Sequence, residues 1–172
     1  MIDNPWLAMA LNNAWANATL YRAMAGMSDA QFAAARPGFF GSLMRTMNHI
    51  YEVDLYYVDA LEEGGRGRTV YDRDDIRDVA TLGAAQAAVD GRFAGFCRDL
   101  TAADLSRRIA TERRHGTVTE RIDALILHLV QHQVHHRGQA HVMLSHAGID
   151  PPQLDDFYLE DGRVPSAQDY WS

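Results

Sequence analysis

Apolar residues recur at three- and four-residue intervals through four long stretches of this chain, the pattern of amphipathic helices packed on one another. In the first stretch Leu7, Leu11, Ala14, Trp15, Ala18 and Tyr21 keep helical spacing. Asp3 or Asn4 supplies an N-cap ahead of Pro5, and Gly26 stands where a C-cap glycine is expected, so a helix is predicted to about residue 25. Asn13 and Asn17, four apart, share one of its sides. A connector with Ser28, Asp29, Arg36, Pro37 and Gly38 leads to a second helix over about residues 39–61, closed by Glu62-Glu63-Gly64-Gly65. Residues 64–75 read as a surface loop able to border a cleft, with Val70 and Tyr71 as anchors. A third helix is predicted over about residues 79–100, packed through Leu82, Val89, Phe93 and Phe96 and ended at Thr101-Ala102-Ala103-Asp104.

Between the third and fourth helices the periodicity changes. Two short segments containing Ile, Val and Thr flank Arg113-Arg114-His115-Gly116, which predicts a small hairpin over about residues 107–118. The fourth helix is expected from residue 119 or 120 to 147, stopped by Gly148 and by Pro151-Pro152. The acidic tail beyond it lacks helical periodicity, and its Phe157, Tyr158, Tyr170 and Trp171 argue that it packs on the body. The reading is all-α, a single domain over residues 1–172: a four-helix bundle over about residues 3–147, with a small hairpin before the last helix, and a packed tail over 148–172.

Composition narrows the function classes. The net charge of -7 and the scattering of the 16 basic residues leave no stripe to contact phosphates, so no nucleic-acid partner is expected. The single cysteine, Cys97, sits on an apolar helical face as a reduced core thiol. Neither a leader-like start nor a membrane-spanning run is present, so a cytoplasmic protein without a membrane partner is expected.

The candidate chemistry lies in the fourth helix, where His128, His132, His135 and His136 fall within nine residues. At about 100° per residue, His128, His132 and His136 share one face, with Gln139 between them in angle and Met143 and His146 continuing the line. Ile126, Leu127, Val130, Val134 and Leu144 lie off that stripe, so a packed helix with its histidines pointing into the bundle is expected. Two imidazoles four residues apart on one face can share a metal ion, here His132 with His136 or His128 with His132. A third ligand must come from another helix, and His49 is the only histidine on the first three. Three neutral imidazoles suit zinc, nickel, iron(II) or copper and leave coordination positions open. Taken singly, His128, His135, His141 and His146 read as hydrogen-bonded or surface histidines, and His115 as a turn residue. Spacing alone leaves His135 and His136 both open.

The segment His132-Gln133-Val134-His135-His136-Arg137-Gly138-Gln139 resembles the signature of the DinB/YfiT-like family, in which a His-x-x-x-His pair directly precedes Arg-Gly-Gln on the last bundle helix. Asn13-Ala14-Trp15-Ala16-Asn17 is similar to the family's first-helix pattern, and Asn48-His49-Ile50-Tyr51-Glu52-Val53-Asp54 to its second-helix histidine followed five residues later by an acid. Gly148-Ile149-Asp150-Pro151-Pro152 fits as well. The resemblance implies a bundle of up-down-down-up type, commonly a homodimer, with His49, His132 and His136 as metal ligands, and so selects His136 over His135. Tyr56-Tyr57 departs from the pattern, since many members carry tryptophan there.

The same resemblance implies a metal-dependent thiol S-transferase-like activity on a small-molecule substrate. Its cofactors would be zinc or nickel, with iron as a further option, and a low-molecular-weight thiol such as mycothiol or bacillithiol, whose sulfur the metal would activate. Asp54, Gln139 or Arg137 could orient a ligand or a histidine's second nitrogen. Asp54 and Arg137, about 140° around their helices from the metal-facing histidines, read better as members of helix-surface ion pairs. Two alternatives stand beside this reading: a metal-dependent hydrolase, with Glu52 as candidate general base, and a non-catalytic metal- or ligand-binding protein.

Overall fold

The computed structural model describes residues 3–171. The first helix, α1 (Pro5–Met24), starts where the sequence places it, because the extended Asn4 turns its side-chain oxygen onto the Leu7 N–H at 3.0 Å. It ends on Ala25 in a right-handed conformation, so Gly26 serves no left-handed cap. The expected connector contains a short helix, α2 (Asp29–Ala33), started by a reciprocal Ser28–Gln31 capping box and fastened by the buried Phe32.

The second long helix, α3 (Leu43–Leu61), begins four residues later than periodicity suggests. Ser42 is its N-cap, accepting from the Arg45 N–H at 3.2 Å, while Gly38 and Gly41 adopt φ of +144° and +74°. That glycine-bounded turn takes Phe39 and Phe40 out of the helix. The loop over residues 64–75 contains a 3-10 turn (Gly67–Tyr71) anchored by buried Val70, and it borders a cleft of about 320 Å³ lined by Tyr56, Asp59, Glu112 and Thr117 among others. Next comes α4 (Val79–Asp99), capped by Asp78, and then a four-residue turn, α5 (Ala102–Leu105).

The hairpin is formed: β1 (Arg108–Arg113) pairs antiparallel with β2 (Gly116–Arg121), with Thr111 opposite Val118. Ile109 and Thr111 turn inward from β1, the alternation of a one-sided ribbon. Because β2 runs to Arg121, α6 (Ile122–His146) starts two to three residues later than expected. It ends in a Schellman turn: Gly148, at φ +74°, donates to the Ser145 carbonyl, and the Ile149 N–H donates to the Leu144 carbonyl, both at 3.0 Å.

Around the bundle α1 neighbours α4, α4 neighbours α3, α3 neighbours α6, and α6 returns to α1. Asn4 meets Cys97 while Asn17 meets Asp90, so α1 and α4 are antiparallel. Asp54 meets Gln86 and Glu62 meets Arg92, so α3 and α4 run parallel. His49 and Tyr57 face His132 and His128 in turn, which makes α3 and α6 antiparallel and the topology up-down-down-up. Two apolar clusters fill the interior. One, at the hairpin end, includes Phe93, Ile109, Ile122 and Ile126; the other, at the far end, includes Leu20, Phe32, Met47 and Met143. Each such side chain contributes roughly 1.5–3 kcal/mol by leaving water. The tail packs as expected, with Phe157 against Trp15 and Trp171 and a 3-10 turn (Pro165–Tyr170) covering α1. No helix among the described residues is long and apolar enough to cross a membrane.

The face of α6 carrying Leu127 and Val134 is not packed within this chain; the two are 52% and 53% exposed. The buried face is Ile122, Leu125, Ile126, Leu129, Gln133, His136, Ala140, Met143 and Leu144. The histidines therefore sit on the edge of the packed stripe, not opposite it, and Met143 is core while His146 is exposed.

Candidate metal centre

His49 comes from α3, and His132 and His136 come from successive turns of the antiparallel α6. Helix pairing brings them together: one ligand nitrogen from each ring lies within 4.8 Å of the others, and His49 Nε2 is 3.0 Å from His132 Nε2. Two nitrogens bound tetrahedrally at about 2.0–2.1 Å from one ion stand ~3.3 Å apart, so the spacing of His49 and His132 fits such an ion. His49 Nδ1 lies 3.4 Å from Glu52 Oε1, and His136 Nδ1 lies 3.0 Å from Gln139 Oε1, each partner one turn further along its helix. An Nδ1–H directed at these acceptors leaves the Nε2 lone pair free on both rings. His132 Nδ1 is buried without a partner.

The electrostatics keep His132 and His136 neutral. Burial first, then the neighbouring His136 and His49, push the His132 imidazole down to about 3. Burial also lowers His136, partly opposed by the hydrogen bond to Gln139. Neutral rings have free lone pairs, which a metal requires. Phe40 closes one side, its ring centroid 4.3 Å from that of His49 and 5.4 Å from that of His136.

The other histidines stay outside the trio. His128 is one turn away, its ring centroid 6.3 Å from that of His132. His135 is exposed and its Nε2 meets the Gln139 amide nitrogen at 3.1 Å, which separates it from His136. His141 Nε2 donates to the Pro152 carbonyl at 2.9 Å and ties down the tail, while His115 lies exposed in the hairpin turn. Glu52 turns its carboxylate toward His49 Nδ1 and has Arg73 at 4.0 Å on its other oxygen.

Behind the trio lies a buried polar layer between the two apolar clusters, and it corrects the placing of Asp54 and Arg137 on the surface. They are 2% and 4% exposed and do not bond each other directly. Arg137 Nη1 donates to the side-chain oxygens of Asn13, Asn17 and Gln133. The amide nitrogens of Asn13 and Asn17 donate in turn to Asp90, that of Gln133 to Asp54, and that of Gln86 to both carboxylates. Buried amides thus relay one cation to two carboxylates, which satisfies most of a set of groups that would be costly to strand, while Asp54 Oδ1 and Gln86 Oε1 stay buried without a partner. Burial drives the Asp54 carboxyl well above its ordinary range, helped by the neighbouring Asp90, and burial raises Asp90 to about 6. With Arg137 lowered by burial to about 10 and still charged at neutral pH, one retained proton makes the layer close to neutral.

Sequence reasoning found the three histidines, Glu52 and Gln139 but missed Phe40, which it placed inside a helix. The glycines on either side of Phe39-Phe40, with Ser42 as a cap, were the available signal. It paired Asn13 with Asn17 but had no means of finding Gln86, Asp90 and Gln133, whose partners are far away along the chain. Cys97 is the buried thiol expected, pushed up by burial to about 12.

The family model described as "DinB family" matches residues 1–167. Among solved structures, the chain is similar to a DinB-like protein from Bacillus cereus, with a TM-score of 0.63 and 18% sequence identity over 81% of this chain and 90% of that one. At that identity the likeness concerns the fold. No curated protein matches.

Proposed function

The chain belongs to the DinB family, and from that premise we propose that it binds a divalent transition metal, zinc or nickel first and iron(II) as a further option, through His49, His132 and His136, and acts as a thiol S-transferase-like enzyme on a small molecule in the cytoplasm. The convergence of three ligand nitrogens within 4.8 Å carries the metal reading. A bound divalent ion supplies Lewis acidity that lowers the pKa of a coordinated thiol of low molecular weight. This chain's own part is to hold three imidazoles at the edge of the core, to direct two of them through Glu52 and Gln139, and to shield one side with Phe40. Three protein ligands leave room for the thiol.

The hydrolase alternative asks Glu52 to activate a water. Its position on His49 Nδ1 supports an orienting role instead. We also propose a homodimer, because Leu127, Val134 and Val142 leave an apolar ridge of α6 uncovered.

Metal analysis of protein purified without a histidine tag tests the centre. About one ion per chain is expected, with loss of metal in a His132→Ala/His136→Ala variant that remains folded by circular dichroism. Unchanged metal content in that variant refutes the site. Calorimetry of the loaded protein with glutathione, bacillithiol, mycothiol and coenzyme A then tests the thiol reading. Binding with turnover is expected; binding without turnover leaves a non-catalytic binder, and esterase or amidase activity without thiol binding leaves a hydrolase.

A further inference from the structure

One helical turn from the candidate metal centre, toward the hairpin, lies a group of three hydrogen-bond donors, two of which meet no protein acceptor among the described residues. Arg113, the last residue of β1, reaches across to α3: its Nη1 donates to the Tyr57 hydroxyl at 2.7 Å, and its guanidinium carbon is 5.5 Å from the centroid of that ring. Tyr57 packs on His128, with ring centroids 5.0 Å apart, and His128 is the next histidine beyond His132 on α6. The Tyr57 hydroxyl accepts from Arg113, yet among the described residues its own proton meets no acceptor, and neither ring nitrogen of His128 makes a hydrogen bond. Arg113 has one carboxylate neighbour, Glu120 on β2, at a loose 3.9 Å with both side chains partly open to solvent. An arginine fork, a phenol and an imidazole N–H therefore converge from three separate elements, all donors, beside the candidate metal centre.

We propose that Arg113, Tyr57 and His128 form an anion subsite that receives the carboxylate of a small substrate or thiol whose other end reaches the three-histidine centre. The bridging half of this inference rests on the metal reading above; the anion subsite does not. His128 is four residues from His132, about 6 Å along the helix. An extended chain advances roughly 3.5 Å for every three bonds, so the ligand carries its carboxylate about five bonds from its metal-binding atom. The hairpin thereby acquires a role in choosing substrates: it delivers the one fully charged member of the subsite, and the bundle alone lacks it.

The test uses two thiols of matched length, 4-mercaptobutanoate and 4-mercapto-1-butanol, titrated into the cobalt(II)-loaded protein and followed by the sulfur-to-cobalt charge-transfer absorption. Each thiol gives up its proton to the buffer as sulfur binds. The carboxylate is expected to bind about tenfold more tightly than the alcohol, the worth of a charge-assisted hydrogen bond at a half-exposed site. Arg113→Gln removes that preference while cobalt content and affinity for the alcohol stay unchanged. Glu120→Gln, which frees the guanidinium, strengthens the preference. Equal affinities in the wild type, or a preference that survives Arg113→Gln, overturn the proposal. Butanoate titrated into metal-free protein separates this failure from failure of the metal reading: a saturable shift of the His128 ring resonances, absent in Arg113→Gln, supports the subsite even where cobalt is not taken up, and no shift overturns it.

Discussion

Replacing Arg137 with methionine keeps much of its apolar stem and removes the one cation of the buried polar layer. Three amide oxygens, on Asn13, Asn17 and Gln133, then lose the same donor. A stranded buried acceptor costs about 1–3 kcal/mol, and removing one partner from a buried charge set costs about 3–5 kcal/mol. These figures describe one loss seen twice and are not summed, so the expected destabilisation is about 4 kcal/mol. Against a native stability of about 5–15 kcal/mol this is severe but not necessarily unfolding. At about 2–4 °C per kcal/mol for a chain of this size, the midpoint falls by about 8–16 °C. Urea and thermal unfolding of chelator-treated protein, followed by far-UV circular dichroism, measure it without interference from bound metal. A second substitution, Asp90→Asn, recovers part of the loss because it removes the negative charge left without a counter-charge. A destabilisation below about 1 kcal/mol, or strict additivity of the two substitutions, refutes the view of the layer as one coupled network.

The same layer gives the metal-free protein a pH dependence. Asp90 is raised to about 6 when folded, above its ordinary value near 3.9 when unfolded, so its contribution is fully present below about pH 4 and is lost as pH rises through about 6. The stability of Asp90→Asn relative to wild type therefore improves across that window, a comparison in which the histidines cancel; a flat difference refutes the raised carboxyl. Glu52→Gln and Gln139→Leu each weaken metal binding by about tenfold in competition with a chelator, through loss of ring orientation. Unchanged affinity in both removes that role, and loss of turnover at unchanged affinity in Glu52→Gln restores it as a base. Leu127→Lys/Val134→Lys converts a dimer to a monomer in light scattering; a wild-type monomer removes the dimer.

Local chemistry determined much of this molecule. The Asn4 cap, Gly116 in the hairpin turn, Gly148 and the helical spacing of apolar residues act over a few neighbours, so their consequences can be read along the chain. The pairing of His132 with His136 is likewise a property of one helix. Where local signals competed, the reading slipped. Apolar Phe39 and Phe40 extended the second helix past a turn set by Gly38 and Gly41, and the start of α6 was displaced by residues that the hairpin uses as strand.

Tertiary structure decided the rest, because contact between helices depends on register and on which face each presents. Periodicity identifies a stripe but not its partner, so Leu127 and Val134 read as a covered face and are exposed within this chain, while Asp54 and Arg137 read as surface and are buried. The antiparallel register of α3 on α6 puts His49 beside His132 and His136 and leaves His135 outside, since neighbouring residues on a helix point about 100° apart. The sequence by itself determined which side chains could bind a metal; the packing of two helices, held in register by a buried layer of amides and charges, decided which three meet.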